Sequence, residues 1–389
     1  MGAEETTKSD IDYIGVDDKT LDLFEGQYSV PNGVSYNSYV ITDDKTAVID
    51  TVDTRATDEW FAKLAAVLKG KNPDYLVILH MEPDHGANIK NFAERYPNAS
   101  IVSNAKVFGM IAQFFPDFDI EGRKIVVSEQ EPFSLGRHVL RFVMAPMVHW
   151  PEVMVAFDEY EKVLFSADAF GKFGTLDIEE DWIAEARRYY FNIVGRYGVQ
   201  VQSLLKKAKT MDVKKIYPLH GPTLDGDIDY YFNRYDLWSR YEPEDKGVFI
   251  ACASVYGHTK EAAVKLQTAL KEKGVTAVLC DLARDDISSA VENAFRYDKL
   301  VLASVTLDGE IFPAMKDFIS HLKNKLFQKR TVAFIENGSW MPVAAKKMKA
   351  ELETLKNLTF IDKTVTLKSA LTRENIREID ELASLLATD

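Results

Sequence analysis

Four potential metal ligands lie within six residues, in the stretch His80-Met81-Glu82-Pro83-Asp84-His85. The apolar run at 74–79 before this stretch predicts a buried strand, and residues 87–96 after it follow a helical pattern. A tetrahedral zinc site needs only about four ligands in all, so this density predicts two metals. The oxygen-rich ligation favours iron or manganese over zinc. The alternative, a solvated acidic loop that happens to hold two histidines, is disfavoured by the position directly after a buried strand.

The length and net charge of the chain limit the classes of protein to which it can belong. With 389 residues, it is longer than one hydrophobic core usually serves, so we expect two domains. No apolar run is long enough to span a bilayer, and residues 1–12 lack the apolar core of a signal peptide, so we expect no membrane partner. The net charge of −13 argues against a nucleic-acid partner, which would require a basic surface.

The chain has two cysteines, Cys252 and Cys280. A disulfide framework is therefore not expected, which predicts a cytoplasmic location. An iron–sulfur centre or a rubredoxin-type module needs about four cysteines per site, so we expect neither within this chain.

Paired strand patterns with helical patterns between them fill the first part of the chain. Predicted strands lie at 34–41, 46–51, 74–79, 100–102, 124–127, 138–144, 153–157, 163–165 and 215–218. Predicted helices lie at 57–70, 87–96, 106–115 and about 179–208. This arrangement predicts two packed sheets covered by helices.

Three further ligand-type residues, His149, Asp168 and His220, fall in the loops after predicted strands. Such loops are where a rigid scaffold presents chemistry. With the first cluster they make seven ligand residues, three of them carboxylates, which suits two metals that share one carboxylate. If both metals are iron(II), the pair can deliver two electrons to one small molecule. The spacing alone does not assign ligands to individual metals.

Two other histidines and one tryptophan receive structural interpretations. His138 lies in a strand pattern, so we expect a surface residue or a paired strand residue. His321 lies on a helical pattern, and we expect it to be solvated. Trp150 directly follows His149 and either shapes the metal pocket or belongs to the core.

A second pattern begins after a short charged break at 241–247 that contains Pro and Gly, and we place the domain boundary there, between 245 and 246. Predicted strands lie at 248–252, 276–280, 300–303, 331–335 and 364–367, and helices begin near Thr259, Ile287, Pro313, Pro342 and Thr372. This alternation predicts a doubly wound parallel sheet.

Three loops of the second domain follow predicted strand ends, where ligands bind in α/β sheets. In the first loop, hydroxyl groups and backbone N–H groups at a helix N-terminus make an anion site without Lys or Arg. The three loops suit a phosphate, a ribityl chain and a flat ring. The candidate cofactor-binding residues are Ser254, Val255, Tyr256, Gly257, His258, Thr259, Thr306, Leu307, Asp308, Gly309, Gly338, Ser339 and Trp340. Trp340 is the candidate stacking partner, with a packing role and a cofactor-free fold as the alternatives.

The spaced ligand set from His80 to His220 resembles that of the flavodiiron proteins, whose first domain is similar to a metallo-β-lactamase. Glu82 supports the resemblance, because related zinc hydrolases have His at this position. The resemblance covers essentially the whole chain, including a second domain that resembles the FMN-binding flavodoxins. It implies an α/β architecture, with a metallo-β-lactamase-like αββα sandwich at 1–245 and a flavodoxin-like doubly wound parallel sheet at 246–389.

The resemblance also implies how the two iron ions would be held. The proximal iron would take His80, Glu82, His149 and Asp168. The distal iron would take Asp84, His85 and His220, with Asp168 as the bridge.

The activity implied by the resemblance is that of an oxidoreductase with FMN and a non-haem diiron centre. It would reduce O2 to water, or NO to N2O in nitric oxide detoxification, or both, and the sequence does not decide between the gases. FMN would relay electrons from an external donor, either rubredoxin or reduced F420. A head-to-tail homodimer, or a dimer of dimers, would bring the FMN of one chain near the diiron centre of another.

The cofactor loops depart from the family pattern in three places. Val305 stands where a proline is common before the threonine of the second loop. The third loop lacks the frequent Gly-rich run and reads Trp340-Met341-Pro342. His258 stands where Asn is common, and we expect it to contribute through its backbone. Contacts to the flavin ring are therefore less defined by the sequence than contacts to the phosphate.

Two other classes of function are weighed against this one. The first is a metallo-β-lactamase-type hydrolase that uses a metal-bound hydroxide, which Glu82 and the second domain both disfavour. The second is an electron-transfer protein with an unused metal site, which the complete set of seven ligand residues disfavours.

Overall fold

The computed structural model describes residues 9–129 and 131–388, and it divides into two compact units. The first unit consists mainly of Val30–Tyr190 and Val199–Asp236, together with the chain up to Phe24. The second consists of the chain from Leu237 onward, with the short segments Glu25–Ser29 and Phe191–Gly198. The chain thus changes unit at 236/237, and the domain boundary at 245/246 stays a prediction.

Short strands and helices alternate along the described chain up to Ser239. The strands are β1 (Ile11–Tyr13), β2 (Val16–Asp18), β3 (Leu23–Phe24), β4 (Tyr28–Ser29), β5 (Val34–Tyr36), β6 (Tyr39–Thr42), β7 (Thr46–Ile49), β8 (Tyr75–Val77), β9 (Ser100–Ser103), β10 (Lys124–Val126), β11 (Phe133–Ser134), β12 (Val139–Met144), β13 (Met154–Asp158), β14 (Val163–Phe165) and β15 (Lys215–Tyr217). The helices are α1 (Thr57–Leu68), α2 (Pro83–Gly86), α3 (Ile89–Arg95), α4 (Ala105–Phe114), α5 (Trp182–Tyr189), α6 (Gly198–Ala208) and α7 (Ile228–Ser239).

Two sheets form the centre of the first unit. The first has the order β1-β6-β7-β8-β9-β10, and the second has the order β11-β12-β13-β14-β15. Strand β8 lies parallel to both neighbours, so that Leu76 is opposite Val48 and Ile101, and all three side chains are fully buried. Strands β14 and β15 are also parallel. The carboxyl ends of parallel strands meet at one edge of each sheet, and the loops with ligand residues leave from these edges.

The predicted two-sheet arrangement is confirmed, but several boundaries differ. The single strand predicted at 34–41 is two strands, because Asn37 lies between them and its side-chain amide donates to the carbonyl oxygens of Pro218 and Gly221 at 2.8 and 2.7 Å. The helix predicted at 179–208 is interrupted by a π-helical turn at Tyr190–Val194 and a 3-10 turn at Gly195–Tyr197. Sequence reasoning also missed β1 to β4 and β11, which are only two or three residues long. It missed α7 as well, although its buried Phe232, Tyr235 and Trp238 recur every third residue.

The second unit contains a parallel sheet and the helices that connect its strands. Its strands are β16 (Asp245–Ala253), β17 (Ala277–Asp281), β18 (Tyr297–Leu307), β19 (Glu310–Ile311), β20 (Arg330–Asn337) and β21 (Leu358–Leu367). Its helices are α8 (His258–Glu272), α9 (Ile287–Arg296), α10 (Pro313–Asn324), α11 (Ala344–Leu352) and α12 (Arg373–Leu386).

The order of the long strands, β17-β16-β18-β20-β21, is the flavodoxin-like order, and every neighbouring pair among them is parallel. The predicted doubly wound sheet is therefore confirmed. Helix α8 packs its Leu266 with Leu382 of α12 on Ile250 and Val301 of the sheet, and all four side chains are fully buried. Within 9–129 and 131–388, no helix has both the length and the apolar character needed to cross a bilayer.

Candidate metal centre

The first ligand cluster is fixed to the end of β8 by a buried aspartate. The Asp50 Oδ1 atom accepts the backbone N–H groups of Leu79 at 2.8 Å and of His80 at 3.3 Å. Burial raises the pKa of Asp50 to about 7, although nearby histidines and both N–H groups lower it. These bonds hold the backbone at His80, so the ring enters the site from a rigid position.

The next ligands lie on a single helical turn. Glu82 directly precedes α2, and Pro83 supplies the fixed φ angle that suits a first helical position. The predicted helix at 87–96 thus begins later, at Ile89, and α2 is a separate turn that carries Asp84 and His85. The sequence predicted a turn for these four ligands, between the strand at 74–79 and the helix at 87–96, whereas a proline-initiated helical turn orients two of them.

The remaining ligands come from the second sheet. His149 follows β12, Asp168 follows β14, and His220 follows β15. The His220 Nδ1 atom lies 2.7 Å from the Ser35 carbonyl oxygen, to which it donates, so Nε2 is the nitrogen available to a metal. All three residues are buried.

The ligand atoms fall into two groups, each with its atoms within 4.8 Å of one another. The first group contains His80, Glu82, His149 and Asp168. The second contains Asp84, His85 and His220. The structure thus brings together all seven residues that the sequence singled out, and their role as metal ligands stays a prediction.

Distances in the first group have the spacing of ligands around one ion. The His149 Nε2 atom lies 3.0 Å from Glu82 Oε2 and 3.0 Å from Asp168 Oδ2, and His80 Nε2 lies 3.3 and 3.4 Å from the same two oxygens. Two ligands that are each about 2.1 Å from a tetrahedral ion are about 3.4 Å apart.

Asp168 faces both groups with different oxygen atoms. Its Oδ2 atom lies among the first group, whereas its Oδ1 atom lies 3.4 Å from His85 Nε2 and 3.9 Å from His220 Nε2. In the second group, Asp84 Oδ2 lies 3.3 Å from His85 Nε2 and 3.2 Å from His220 Nε2. A carboxylate between two such groups has the geometry of a bridge.

Unpaired buried atoms show that the site suits cations. Both oxygens of Asp84 and the Oδ1 atom of Asp168 are buried without a hydrogen-bond partner among the described residues. Leaving a carboxylate buried and uncompensated costs several kcal/mol, which a metal ion offsets. The donor set of four imidazoles and three carboxylates is suited to iron.

The pKa values of the ligand residues are shifted by the same balance of charges. Burial raises the pKa of Asp168, but the charge and hydrogen bonds of His80, His149 and His85 outweigh burial and hold it well below its ordinary value. Burial lowers the pKa of His149, yet Asp168 and Glu82 raise it to about 9. In the metal-free protein, protons on His80, His85 and His149 would therefore balance the carboxylates, and metal ions would replace these protons.

Glu152 is a neighbour of the site that sequence reasoning missed. Its Oε1 atom lies 2.8 Å from His80 Nδ1 and accepts the Met81 backbone N–H at 2.9 Å. The side chain is buried, and this contact directs the Nε2 atom of His80 toward Glu82 and Asp168. The signal available in the sequence was a carboxylate three residues after His149.

The structure tests the interpretations that the sequence suggested for Trp150, His138 and His321. The Trp150 ring lies against the His80 ring, with centroids 5.4 Å apart and planes perpendicular, so it forms a wall of the site. His138 is not a surface residue, since it is fully buried and pairs with Asp158. His321 is not solvated as expected, because it is only 20% exposed and its ring meets Tyr28 edge-on.

In the second unit, the loops after the sheet strands enclose a cavity of about 750 Å³. It is lined by all of the predicted cofactor-binding residues except Gly257: Ser254, Val255, Tyr256, His258, Thr259, Thr306, Leu307, Asp308, Gly309, Gly338, Ser339 and Trp340. Val305, Asn337, Met341 and Ser369 also line it and were not predicted. Ser369 could have been found, because it follows the last strand of the sheet.

Polar atoms in this cavity are already arranged for an anion at the start of α8. The Ser254 hydroxyl accepts the Gly257 N–H at 3.1 Å, and Gly257 has a φ of 98°, which favours glycine. The first N–H groups of α8 then face the cavity without helical partners. By contrast, the Thr306 hydroxyl accepts the N–H groups of Val343 and Ala344, so it caps α11.

Two large rings are exposed at the cavity. Tyr256 is 90% exposed and Trp340 is 91% exposed, so Trp340 is not a packing aromatic. In the third loop, a Cβ atom on Gly338 would come within 2.7 Å of Pro342, which requires glycine there. The loop therefore closes tightly on its proline even though it lacks a Gly-rich run.

Comparison with known proteins agrees with this geometry. Residues 34–221 match the family described as ODP family beta lactamase, and residues 249–372 match the flavodoxin domain. An uncharacterized protein of Methanocaldococcus jannaschii is 28% identical over 390 residues, 98% of this chain and 97% of that protein. A nitric oxide reductase of Moorella thermoacetica is 26% identical over 390 residues, 96% of each chain.

Solved structures show the same fold. The rubredoxin:oxygen oxidoreductase of Desulfovibrio gigas superposes with a TM-score of 0.90 at 23% identity, covering 97% of this chain and 96% of that one. The flavodiiron protein of Giardia intestinalis superposes with a TM-score of 0.89 at 24% identity, covering 97% and 94%. The predicted metallo-β-lactamase-like and flavodoxin-like folds are confirmed.

These findings define a class of protein in which a β-lactamase-type metal domain precedes a flavodoxin domain. Within that class, the chain belongs to the flavodiiron proteins.

Glu152→Gln removes the negative charge beside His80 while keeping the size of the side chain. Metal affinity is expected to fall about 10- to 100-fold, because the imidazole loses the carboxylate that orients it. Competition with a chelator for iron(II) measures this change. Glu159→Gln is the matched control, since Glu159 pairs with Arg141 at the surface. Equal affinities of the two variants would contradict the role of Glu152.

Proposed function

We propose that this chain is an oxidoreductase that reduces O2 to water, NO to N2O, or both, with FMN and two non-haem iron ions as cofactors. The observation that carries the proposal is Asp168, which directs one oxygen atom toward each of two groups of buried ligands. The flavin-sized cavity in the same chain supports it. The named relatives, which include nitric oxide reductases, support an oxidoreductase rather than the hydrolase alternative.

The proposed division of ligands follows the two groups. His80, Glu82, His149 and Asp168 would hold the proximal iron. Asp84, His85 and His220 would hold the distal iron, with Asp168 shared between the two. In the cavity of the second unit, the N-terminus of α8 would hold the FMN phosphate, with Tyr256 and Trp340 available to the ring.

When bound, reduced FMN and iron(II) supply the electrons for reduction of the gas. The residues of the chain hold the ions in place and exclude water around them. Rings of Phe24, Tyr36 and Tyr189 surround His220, with centroids 5.4 to 6.1 Å away, and Trp150 covers His80. Apolar walls suit small neutral gases such as O2 and NO.

Tyr189 supplies a hydrogen-bond donor in this proposal. Its hydroxyl group is buried and has no hydrogen-bond partner among the described residues. Burial, followed by the charges of Asp168, Asp84 and Glu82, raises its pKa well above the ordinary value. The hydroxyl therefore keeps its proton and can donate a hydrogen bond to a group bound at the metal site.

Electrons would come from a separate protein of the rubredoxin type or, alternatively, from reduced F420. One structural neighbour is named as a rubredoxin:oxygen oxidoreductase, which supports the first donor. We also propose a cytoplasmic location, which the free, buried thiols of Cys252 and Cys280 support.

The decisive experiment combines composition with turnover. The purified protein should contain two iron ions and one FMN per chain. When it is given a reduced donor, it should consume added O2 or, under anaerobic conditions, added NO. His85→Asn should abolish gas consumption while the donor still reduces the flavin, because only the metal site loses a ligand. His321→Asn, in the flavodoxin-like unit, is the control. A colourless protein with stoichiometric zinc, or an active His85→Asn variant, would disprove the proposal.

Tyr189→Phe removes only the buried hydroxyl. We expect iron and FMN contents to be unchanged and the turnover number to fall about 100-fold, which is typical for loss of a buried hydrogen-bond donor to a reacting group. Steady-state rates with each gas measure the effect. The matched control is Tyr235→Phe, because the Tyr235 hydroxyl is bound to the Phe170 N–H. Full activity of Tyr189→Phe would exclude Tyr189 as the donor.

The proposed assembly is a head-to-tail homodimer or a dimer of dimers, as the family resemblance implies. Electron transfer from flavin to metal would then require two chains. Sedimentation across a range of concentrations, paired with activity measurements, should show activity rising with the dimer fraction. A fully active monomer would refute this arrangement.

A further inference from the structure

A second cluster of ligand-type residues lies in the first unit, away from the seven-residue site. It consists of Asp10, His138 and Glu161, and we call it the Asp10 cluster. One ligand atom from each residue lies within 4.8 Å of the others. Asp10 directly precedes β1, His138 directly precedes β12, and Glu161 lies in the turn between β13 and β14. The cluster is therefore at the opposite ends of β12 and β14 from His149 and Asp168.

The His138 ring is set up as a ligand rather than as a surface side chain. It is fully buried, and its Nδ1 atom lies 3.0 Å from Asp158 Oδ2, to which it donates. Its Nε2 atom is buried without a hydrogen-bond partner among the described residues. This atom lies 3.7 Å from Asp10 Oδ2, too far for a hydrogen bond but close to the spacing of two ligands on one ion.

The carboxylates around His138 outnumber the cations. Asp10 and Glu161 face the ring from the cluster itself, Asp158 holds Nδ1, and Asp43 accepts the His138 backbone N–H at 2.7 Å. These four groups carry four negative charges in a region where the imidazole is fully buried.

The neighbouring cations offset only part of this charge. Arg137 Nη2 lies 2.7 Å from Asp10 Oδ2, and Lys215 Nζ lies 3.7 Å from Glu161 Oε2. Both cations are partly exposed, at 57% and 38%. Four carboxylates less two cations leave two negative charges around a neutral imidazole, which one divalent ion balances.

Glu161 also accepts two local hydrogen bonds, from the Ser9 hydroxyl at 2.8 Å and from the Asp10 N–H at 2.8 Å. These bonds fix its carboxylate and hold the start of β1 beside it. The Oε1 atom accepts the Asp10 N–H and also lies 2.9 Å from the Ser9 hydroxyl, so Oε2 is the oxygen that keeps capacity for a cation.

We propose that Asp10, His138 and Glu161 bind one divalent ion of the zinc type, separate from the diiron site. Asp158 completes a carboxylate–histidine–metal arrangement, in which the outer carboxylate fixes the tautomer and direction of the ligating ring. The ion links β1 of the first sheet to β12 and β14 of the second. Its role is to hold the two sheets together at the end away from the chemistry.

The test uses the iron-loaded protein and Zn²⁺ as the probe. After equilibration with buffered micromolar Zn²⁺, elemental analysis should find one zinc in addition to two iron ions per chain. His138→Gln should retain the iron and lose the zinc, whereas His321→Gln, the matched control, should retain both. Asp158→Asn should weaken zinc binding about 10- to 100-fold. The thermal midpoint should rise with Zn²⁺ in the unaltered protein and not in His138→Gln.

If His138→Gln fails to fold, anomalous diffraction at the zinc edge decides the question with the unaltered protein. A peak near His138 Nε2 supports the site, and no peak there overturns it. The rival arrangement is an imidazolium held between Asp158 and Asp10. In that case, the protein binds no third ion, and its thermal midpoint does not respond to Zn²⁺.

Discussion

Asp168 is a buried carboxylate placed between two sets of histidines, and the first unit is built around it. Its two oxygens face different ligand groups, so the protein needs positive charge on both sides of one residue. Burial alone would favour the neutral acid, but the surrounding imidazoles keep the group ionised. The stability of the folded first unit depends on cations at this position, because burying a carboxylate without them costs several kcal/mol of folding free energy. The same demand for cations favours metal ions at this candidate site.

Rigid backbone positions hold the ligands around that carboxylate. Asp50 binds the N–H groups where β8 ends, Glu152 orients His80, and the Ser35 carbonyl fixes the tautomer of His220. Each of these partners comes from a different segment of the chain. Correct spacing of the metal ligands is thus a result of contacts between separate segments of the chain, and not of the local sequence at each ligand.

The flavin cavity depends on a different constraint. Parallel strands end at one edge of the sheet, and the helices that follow present unpaired N–H groups there. Ser254 and Gly257 shape the first loop for an anion. Thr306, however, is used to cap α11, so the second loop contributes to the cavity mainly by its shape and its backbone. The most exposed rings, Tyr256 and Trp340, provide the apolar surface for a flat ligand.

The sequence by itself determined the types of the candidate ligands, the strand ends that carry them and the alternation of strands and helices in the second unit. These features are local, since periodicity and turn residues act over a few positions. Only the tertiary structure decided that each oxygen of Asp168 faces a different group, that Glu152 supports His80, and that His138 is buried. The reason is that these contacts join residues from separate strands and loops, and their distances are set by how the two sheets pack.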